Sequence, residues 1–389
     1  MTNLRQRVRC LDWCRQHRSC AIDLPACSGE IRRNQQRRVS HRRESCDDTR
    51  RCMNIRPEIS VLMPVYNAQA TVARALNSVL RQSFVDFEVI VINDGSGDAS
   101  EQIVREVGDP RMRIITHTKN QGLVQSLNEG LDLARGELVA RHDADDESLP
   151  DRFHLQRAAM IADRSLGAVG GTLLLTRHGR AVGDAWRYPL TAVGSRWQIH
   201  FKTPAAHSAV MYRRNAVISA GGYQGGYPRA EDFELWSRVI KVSNIRNLRR
   251  PVLRYSIDDA GVSRSGADEQ RSTHLRIATD NIKALLGKEI PRDIVETLAL
   301  RIDRGEKGQD YSHILEAADA CIEIFSRFKD GEEQSIAFKE VRADYKRRLT
   351  GLARSLPQDQ RREAAREIGR MAGWNGLTLR WFTGISAFN

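Results

Sequence analysis

Nowhere in the 389 residues is there a run approaching the roughly 18 apolar residues of a membrane-spanning helix. The N-terminus also lacks the apolar stretch of a secretory signal. The expected address is therefore the cytoplasm. Cysteine is nearly missing from the body of the chain: six of the seven (Cys10, Cys14, Cys20, Cys27, Cys46 and Cys52) lie in the first 52 residues. Their spacings contain no C-x-x-C pair, so His17 and His41 add little support for a zinc site. A disulfide framework would need an oxidising compartment that nothing else in the sequence indicates. Lysine is absent from that segment, which holds thirteen Arg against six acids and supplies seven of the twelve net positive charges. It has one aromatic, Trp13, so it offers no stacking series, and no nucleic-acid partner is expected. High charge without apolar periodicity makes residues 1–55 a basic, Cys/Arg-rich tail expected to be disordered. Met53 opens "MNIRPEISVLMPVYN" just before the first strand, so an upstream-start artefact is the other expectation. Glycine is missing from the turn "PVYNAQATV" (64–72), where a nucleotidyltransferase would carry a Gly-rich, Lys/Arg-containing loop. That class is disfavoured.

What is present reads as a globular chain with 41% hydrophobic and 28% charged residues, enough to bury a core. "EISVLMPVY" (58–66) is a short β-branched apolar run, followed by a helical spacing at Val72, Leu76, Val79 and Leu80. "DFEVIVINDGSGD" (86–98) is a second strand with a Gly-rich end, residues 99–107 a helix, and "RMRIITH" (111–117) a third strand. Leu123, Leu127, Leu131 and Ala134 form the next helical face, with Gly136 expected as its stop, and "ELVAR" (137–141) is a fourth strand. Alternation of strand and helix predicts an α/β fold with a mostly parallel sheet, whose ligands bind beyond the carboxyl ends of the strands. "AVGGTLLL", "HSAVMYRR" and "NIRNLRRPVLRYSI" are further extended stretches, and "AEDFELWSRVI" a helix. After residue 266 helical spacing dominates, with Leu315, Ala318, Ile322 and Phe325 on one face and Phe338, Val341, Tyr345 and Leu349 on another.

Three acidic motifs sit where chemistry would. Asp143 and Asp145 of "HDADD" (142–146) end a strand two positions apart and can together grip a hard cation, leaving sites open for phosphate oxygens. A solvated turn with Asp146, Glu147 or Ser148 capping a helix is the competing reading. Asp94 of "NDGSGD" can accept the imide N–H of a uracil or thymine, or can simply reverse the chain with Gly95. Glu231 and Asp232 precede an apolar helix, where acids favour the dipole or serve as a general base.

The order "ISVLMPVYNAQ … VIVINDGSGD … GELVARHDADDESLPDRF … HSAVMYRR … AEDFELWSR" resembles family-2 glycosyltransferases of the GT-A type over roughly residues 57–265. The resemblance implies a GT-A-type, Rossmann-like mixed sheet flanked by helices at 56–265, with a helical C-terminal extension at 266–389. It implies a nucleotide-sugar donor, most simply UDP-linked, and a glycan or lipid-linked acceptor of polysaccharide or envelope assembly. Donor binding would fall to Pro64, Val65, Tyr66, Asp94, Arg141, Asp143 and Glu231. Mg²⁺ or Mn²⁺ would sit on Asp143 and Asp145, with Asp232 as the base of an inverting transfer and His142 a lesser donor contact. Two departures stand out: Asn93-Asp94 replaces the frequent Asp-Asp, and "RYSIDDAGVSRS" matches the diphosphate loop poorly, leaving Arg254 and Arg264 as candidates. The C-terminal Trp374, Trp381, Phe382 and Ile385 would pack on the domain or touch the inner face of the cytoplasmic membrane. A non-catalytic nucleotide-sugar-binding scaffold is the alternative function.

Overall fold

The computed structural model describes residues 56–183, 185–257, 266–306, 310–329 and 335–374. The basic tail, Arg264 and the cluster Trp381, Phe382 and Ile385 lie outside the described residues. The chain alternates β1 (Ile59–Val65), α1 (Val72–Leu80), β2 (Phe87–Asn93), α2 (Ser100–Val107), β3 (Met112–Thr116), α3 (Leu123–Leu133) and β4 (Leu138–Arg141). These strands pair in parallel in the order β3-β2-β1-β4. The first three strands build outward on one side of β1, and the fourth returns to the other side. That reversal opens a crevice at the carboxyl ends of β1 and β4.

Both faces of the sheet are covered, so β1 and β2 read as continuous apolar runs. Period two then splits them: Ile59, Val61, Met63 and Val65 pack with Val72, Leu76 and Val79 of α1, whereas Leu62, Ile90 and Ile92 face Leu127 and Leu131 of α3. Gly136 is not the stop of α3, which ends at Leu133 with Ala134 extended. A Cβ at Gly136 would lie 2.6 Å from the Ser60 backbone nitrogen, so glycine is required there for close approach to β1.

Beyond β4 come β5 (Glu147–Ser148), α4 (Arg152–Ala162), β6 (Leu166–Arg177), β7 (Arg180–Ala181), α5 (Ala192–Gln198) and β8 (Met211–Arg213). They are followed by α6 (Arg214–Ser219), α7 (Glu231–Val239) and β9 (Asn244–Ser256). The sheet extends as β4-β8-β6-β9-β5, with β8 antiparallel to β4, making it mixed. Glu147 and Ser148 pair with Arg254 and Leu253 of β9. They therefore do not cap a helix.

The C-terminal helices are α8 (Ala267–Leu286), α9 (Arg292–Glu296), α10 (Ile302–Arg304), α11 (Tyr311–Lys329), α12 (Phe338–Ser355) and α13 (Arg361–Met371). They extend the core above α3 and α7, sharing one apolar cluster with it. Trp197 of α5 meets Phe325 and Phe328 edge-on at 6.0 and 5.4 Å and donates through Nε1 to Asp344 at 2.8 Å. Glu340 accepts from the Leu190 and Thr191 amides at 2.8 and 3.1 Å and from the Thr191 hydroxyl at 2.6 Å. Phe338, Val341, Tyr345 and Leu349 are buried as their spacing predicts. On α11 the buried stripe runs Ile314, Ala317, Ala318, Cys321, Ile324 and Phe328, so Ala318 is buried as expected while the centre of the face is rotated from the expected one. Leu315, Ile322 and Phe325 sit at its partly buried flank.

Candidate active site

The loops after β1 and β2 are clipped together. The Asn67 and Gln69 amides donate to Ser96 Oγ and Asp98 Oδ2, both at 3.0 Å, and the Gly97 amide returns to Asn67 Oδ1 at 2.9 Å. Asn67 takes a left-handed φ of 49°, which turns the chain sharply after Tyr66. Tyr66 is half exposed at the mouth, while Val65 is buried and its carbonyl accepts the Asp94 amide at 2.8 Å. Pro64 is partly buried in β1 beside them.

Asp94 is itself buried and already engaged. Its Oδ1 accepts the Gln121 amide at 2.8 Å and meets His117 Nδ1 at 2.7 Å, and its Oδ2 accepts the Gly122 amide at 2.9 Å. His117 Nε2 reaches Glu129 Oε2 at 2.6 Å. A ring bonded to two carboxylates must donate from both nitrogens, which only the imidazolium does. Burial disfavours that charge, but the bonds to Asp94 and Glu129 outweigh it and hold the His117 pKa above its ordinary value. Of four carboxylate lone-pair positions three are filled, and the last, on Oδ2, remains for a ligand.

At the end of β4, one ligand atom each from Asp143, Asp145 and Asp146 falls within 4.8 Å of the others. Asp146, read from sequence only as a possible cap, is buried at 1% exposure. Its Oδ1 accepts the Ser256 amide at 2.9 Å, and its Oδ2 has no hydrogen-bond partner. Burial, then the Asp143 charge, pushes Asp145 up to about 6. Burial, then Asp143 and Asp145, pushes Asp146 well above the usual carboxylate range. Hard oxygen donors, mutual repulsion and a buried orphan oxygen fit a small divalent cation.

Two buried arginines support the cluster from beneath. Arg141 pairs with Asp143, which offsets the burial cost of its charge. Arg152, fully buried, donates to the Arg141 carbonyl at 2.7 Å, the Val210 carbonyl at 3.2 Å and Ser148 Oγ at 3.1 Å. Burial lowers its pKa to about 9. His142 is also fully buried, with Nδ1 on the Asp143 carbonyl at 2.7 Å, so it packs beneath the cluster rather than facing the crevice. Burial, then the nearby Arg152 charge, keeps it neutral.

Across the crevice, Glu231 and Asp232 open α7, both partly buried. Burial, then the Glu231 charge, raises Asp232 to about 6, and Thr203 Oγ1 lies 3.3 Å from its Oδ2. Asp145, Glu231 and Asp232 each lie near enough to Arg141 for its charge to favour their ionised forms. Tyr223, whose hydroxyl bonds His207 Nε2 at 2.9 Å, feels Arg141 and Asp232 as well. Asn128 of α3 fixes residue 223 through its amide and carbonyl, at 2.9 and 2.8 Å. Arg254 is exposed on β9 opposite Glu147. His117, Glu129, Asp146, Arg152 and Tyr223 escape sequence reasoning because each depends on a partner at least 12 positions away or on burial. Adjacency to D-x-D was a signal only for Asp146.

The family model described as "Glycosyl transferase family 2" matches residues 60–219. An O-antigen biosynthesis glycosyltransferase, WbnJ of Escherichia coli, is 32% identical over 53% of this chain and 82% of its own. An uncharacterized glycosyltransferase of Haemophilus influenzae is 28% identical over 60% of this chain and 75% of its own. The chain belongs to glycosyltransferase family 2. Among solved structures, S. aureus TarS 1-349 in complex with UDP-GlcNAc is similar at 16% identity and a TM-score of 0.48, over 85% of this chain and 89% of that one.

Proposed function

We propose that this glycosyltransferase moves a sugar from a UDP-linked donor to a hydroxyl of a glycan or lipid-linked acceptor, inverting the anomeric centre and using Mg²⁺ or Mn²⁺. The observation that carries the reading is the acidic triad with its buried orphan oxygen at the strand-order reversal. Asp143, Asp145 and Asp146 would hold the cation; when bound, it supplies charge neutralisation for a leaving diphosphate. Asp94, Pro64, Val65 and Tyr66 bind the base, with Asp94 accepting the imide N–H. Arg141 keeps Asp143 oriented, and Glu231 raises the basicity of its neighbour. Asp232 takes the proton of the acceptor hydroxyl as its oxygen bonds the anomeric carbon. The bond from that carbon to the phosphate oxygen breaks, and its electron pair leaves with the nucleoside diphosphate. Attack opposite the leaving group inverts configuration.

Residues 56–265 carry the site, 266–389 brace it, and the acceptor's origin in envelope or polysaccharide assembly puts the enzyme at the inner face of the cytoplasmic membrane. O-antigen and amylovoran biosynthesis proteins among the relatives support that acceptor class. Calorimetry of the full chain with UDP and a panel of nucleotide sugars, with and without Mn²⁺, tests the reading. Metal-dependent binding lost in Asp143→Ala/Asp145→Ala is the expected result. A folded protein that binds no nucleotide would overturn it.

A further inference from the structure

The C-terminal helices carry a cationic face that the catalytic reading leaves unused. α12 has six basic and two acidic residues. Both acids point inward: Glu340 holds the 190–191 turn, and Asp344 bonds Trp197 and pairs with Arg347 and Arg348. Outward, Lys339, Arg342, Lys346 and Arg354 are exposed, and among the described residues none of them has a carboxylate partner. Their spacing follows one stripe of the helix, continued by Thr350. An exposed helix that merely meets solvent intersperses charges of both signs, so this segregation calls for a cause.

The stripe lines a concavity of about 790 Å³ closed on its far side by Ile302, Gly305 and Glu306, one carboxylate against the five cations Lys339, Arg342, Lys346, Arg347 and Arg354. A second hollow, of about 280 Å³, shares Arg342 and Lys346 with it and ends at Trp374. Ile336, just ahead of α12, is 82% exposed. Cations with long apolar stems, an exposed aliphatic and a tryptophan at the margin form the composition that settles into an anionic lipid headgroup layer. A nucleic-acid partner would use stacking aromatics, and Phe325 and Tyr345 are instead stacked on each other at 3.9 Å.

We propose that the Lys339–Arg354 face of α12 docks this enzyme on the surface of an anionic membrane, holding the transferase site beside a lipid-borne acceptor. This rests on the transferase reading only for its purpose; the docking itself is independent of it. The test is co-sedimentation of the full chain with phosphatidylcholine vesicles made with and without phosphatidylglycerol. Lys339→Glu/Arg342→Glu/Lys346→Glu is compared with an equal charge change elsewhere, Lys241→Glu/Arg249→Glu/Arg250→Glu. Keeping the N-terminal tail in every sample makes its charge a constant.

Expected is salt-sensitive binding to the anionic vesicles, weakened about 100-fold by the α12 triple and less than about tenfold by the control. Equal loss in both triples, or equal binding to neutral vesicles, overturns the proposal. Binding to a single-stranded oligonucleotide instead of vesicles, lost in the α12 triple, overturns it in favour of nucleic acid. Nucleotide calorimetry on the same samples reports separately on the transferase reading and confirms that the variants fold.

Discussion

At the scale of single residues the site is a set of carboxylates whose environments push them apart. Asp232, raised to about 6 by burial and Glu231, is an effective base only when ionised. Turnover should therefore fall as pH drops through about 6, and Asp232→Asn should lower kcat by about 10²–10⁴-fold with donor affinity unchanged. Steady-state rates across pH check both. Asp145 behaves differently because burial and the Asp143 charge outweigh the nearby Arg141 and Arg74 charges in the metal-free chain. Its cost to folding is absent below its ordinary pKa and complete above about 6. In chelator at pH 8, Asp145→Asn should melt about 2–4 °C higher than the parent, the gap closing near pH 4 and reversing when Mn²⁺ is added. His117 titrates with the opposite sense. Protonated, it bonds Asp94 and Glu129 together; as pH rises through its raised pKa one bond is lost and Asp94 loosens. Nucleotide affinity should weaken as pH rises through that raised pKa, and Glu129→Gln should move the midpoint down. His117→Asn, which keeps a donor, should make binding independent of pH over that range. Calorimetry at several pH values reads all three.

Elements meet the site through their ends. β1, β2 and β4 deliver Tyr66, Asp94 and Asp143 because parallel strands all finish on one side of the sheet, and α7 brings Asp232 with its first turn. The short pairing of Glu147 with Arg254 fixes β9, whose last residue Ser256 donates to Asp146. Arg152, the first residue of α4, ties the end of β4 to the residue before β8. Removing it takes the donor from the buried Arg141 carbonyl and leaves the Val210 carbonyl with the Arg141 amide alone, so Arg152→Met should cost about 3 kcal/mol in denaturant unfolding. Its apolar volume is kept, which separates lost hydrogen bonds from a cavity.

For the whole molecule, the decisive feature is that the helical region and the sheet share one core. Trp197 is 1% exposed only because Phe325 and Phe328 cover it, and the buried Arg348 lies 3.8 Å over Phe201. A chain ending at residue 265 would bare these rings. It is expected to be insoluble or to bind a hydrophobic dye without cooperative melting, even though it retains every proposed site residue.

The α/β alternation, the strand ends that carry Asp94 and Asp143, and the helix behind Asp232 were legible in the sequence, because period-2 and period-3.6 patterns and local turn residues are short-range properties. The family followed from the order of those motifs. The rotated face of α11 and the packing role of Gly136 were not legible, since each answers to a neighbour distant in sequence. The same holds for Asp146, whose burial next to Ser256 came from a pairing between β5 and β9 that two residues cannot announce. Local sequence determined which carboxylates stand at which strand end. Only tertiary structure decided their charge, because desolvation and the approach of Arg141, His117 or Glu231 depend on where the folded chain brings them.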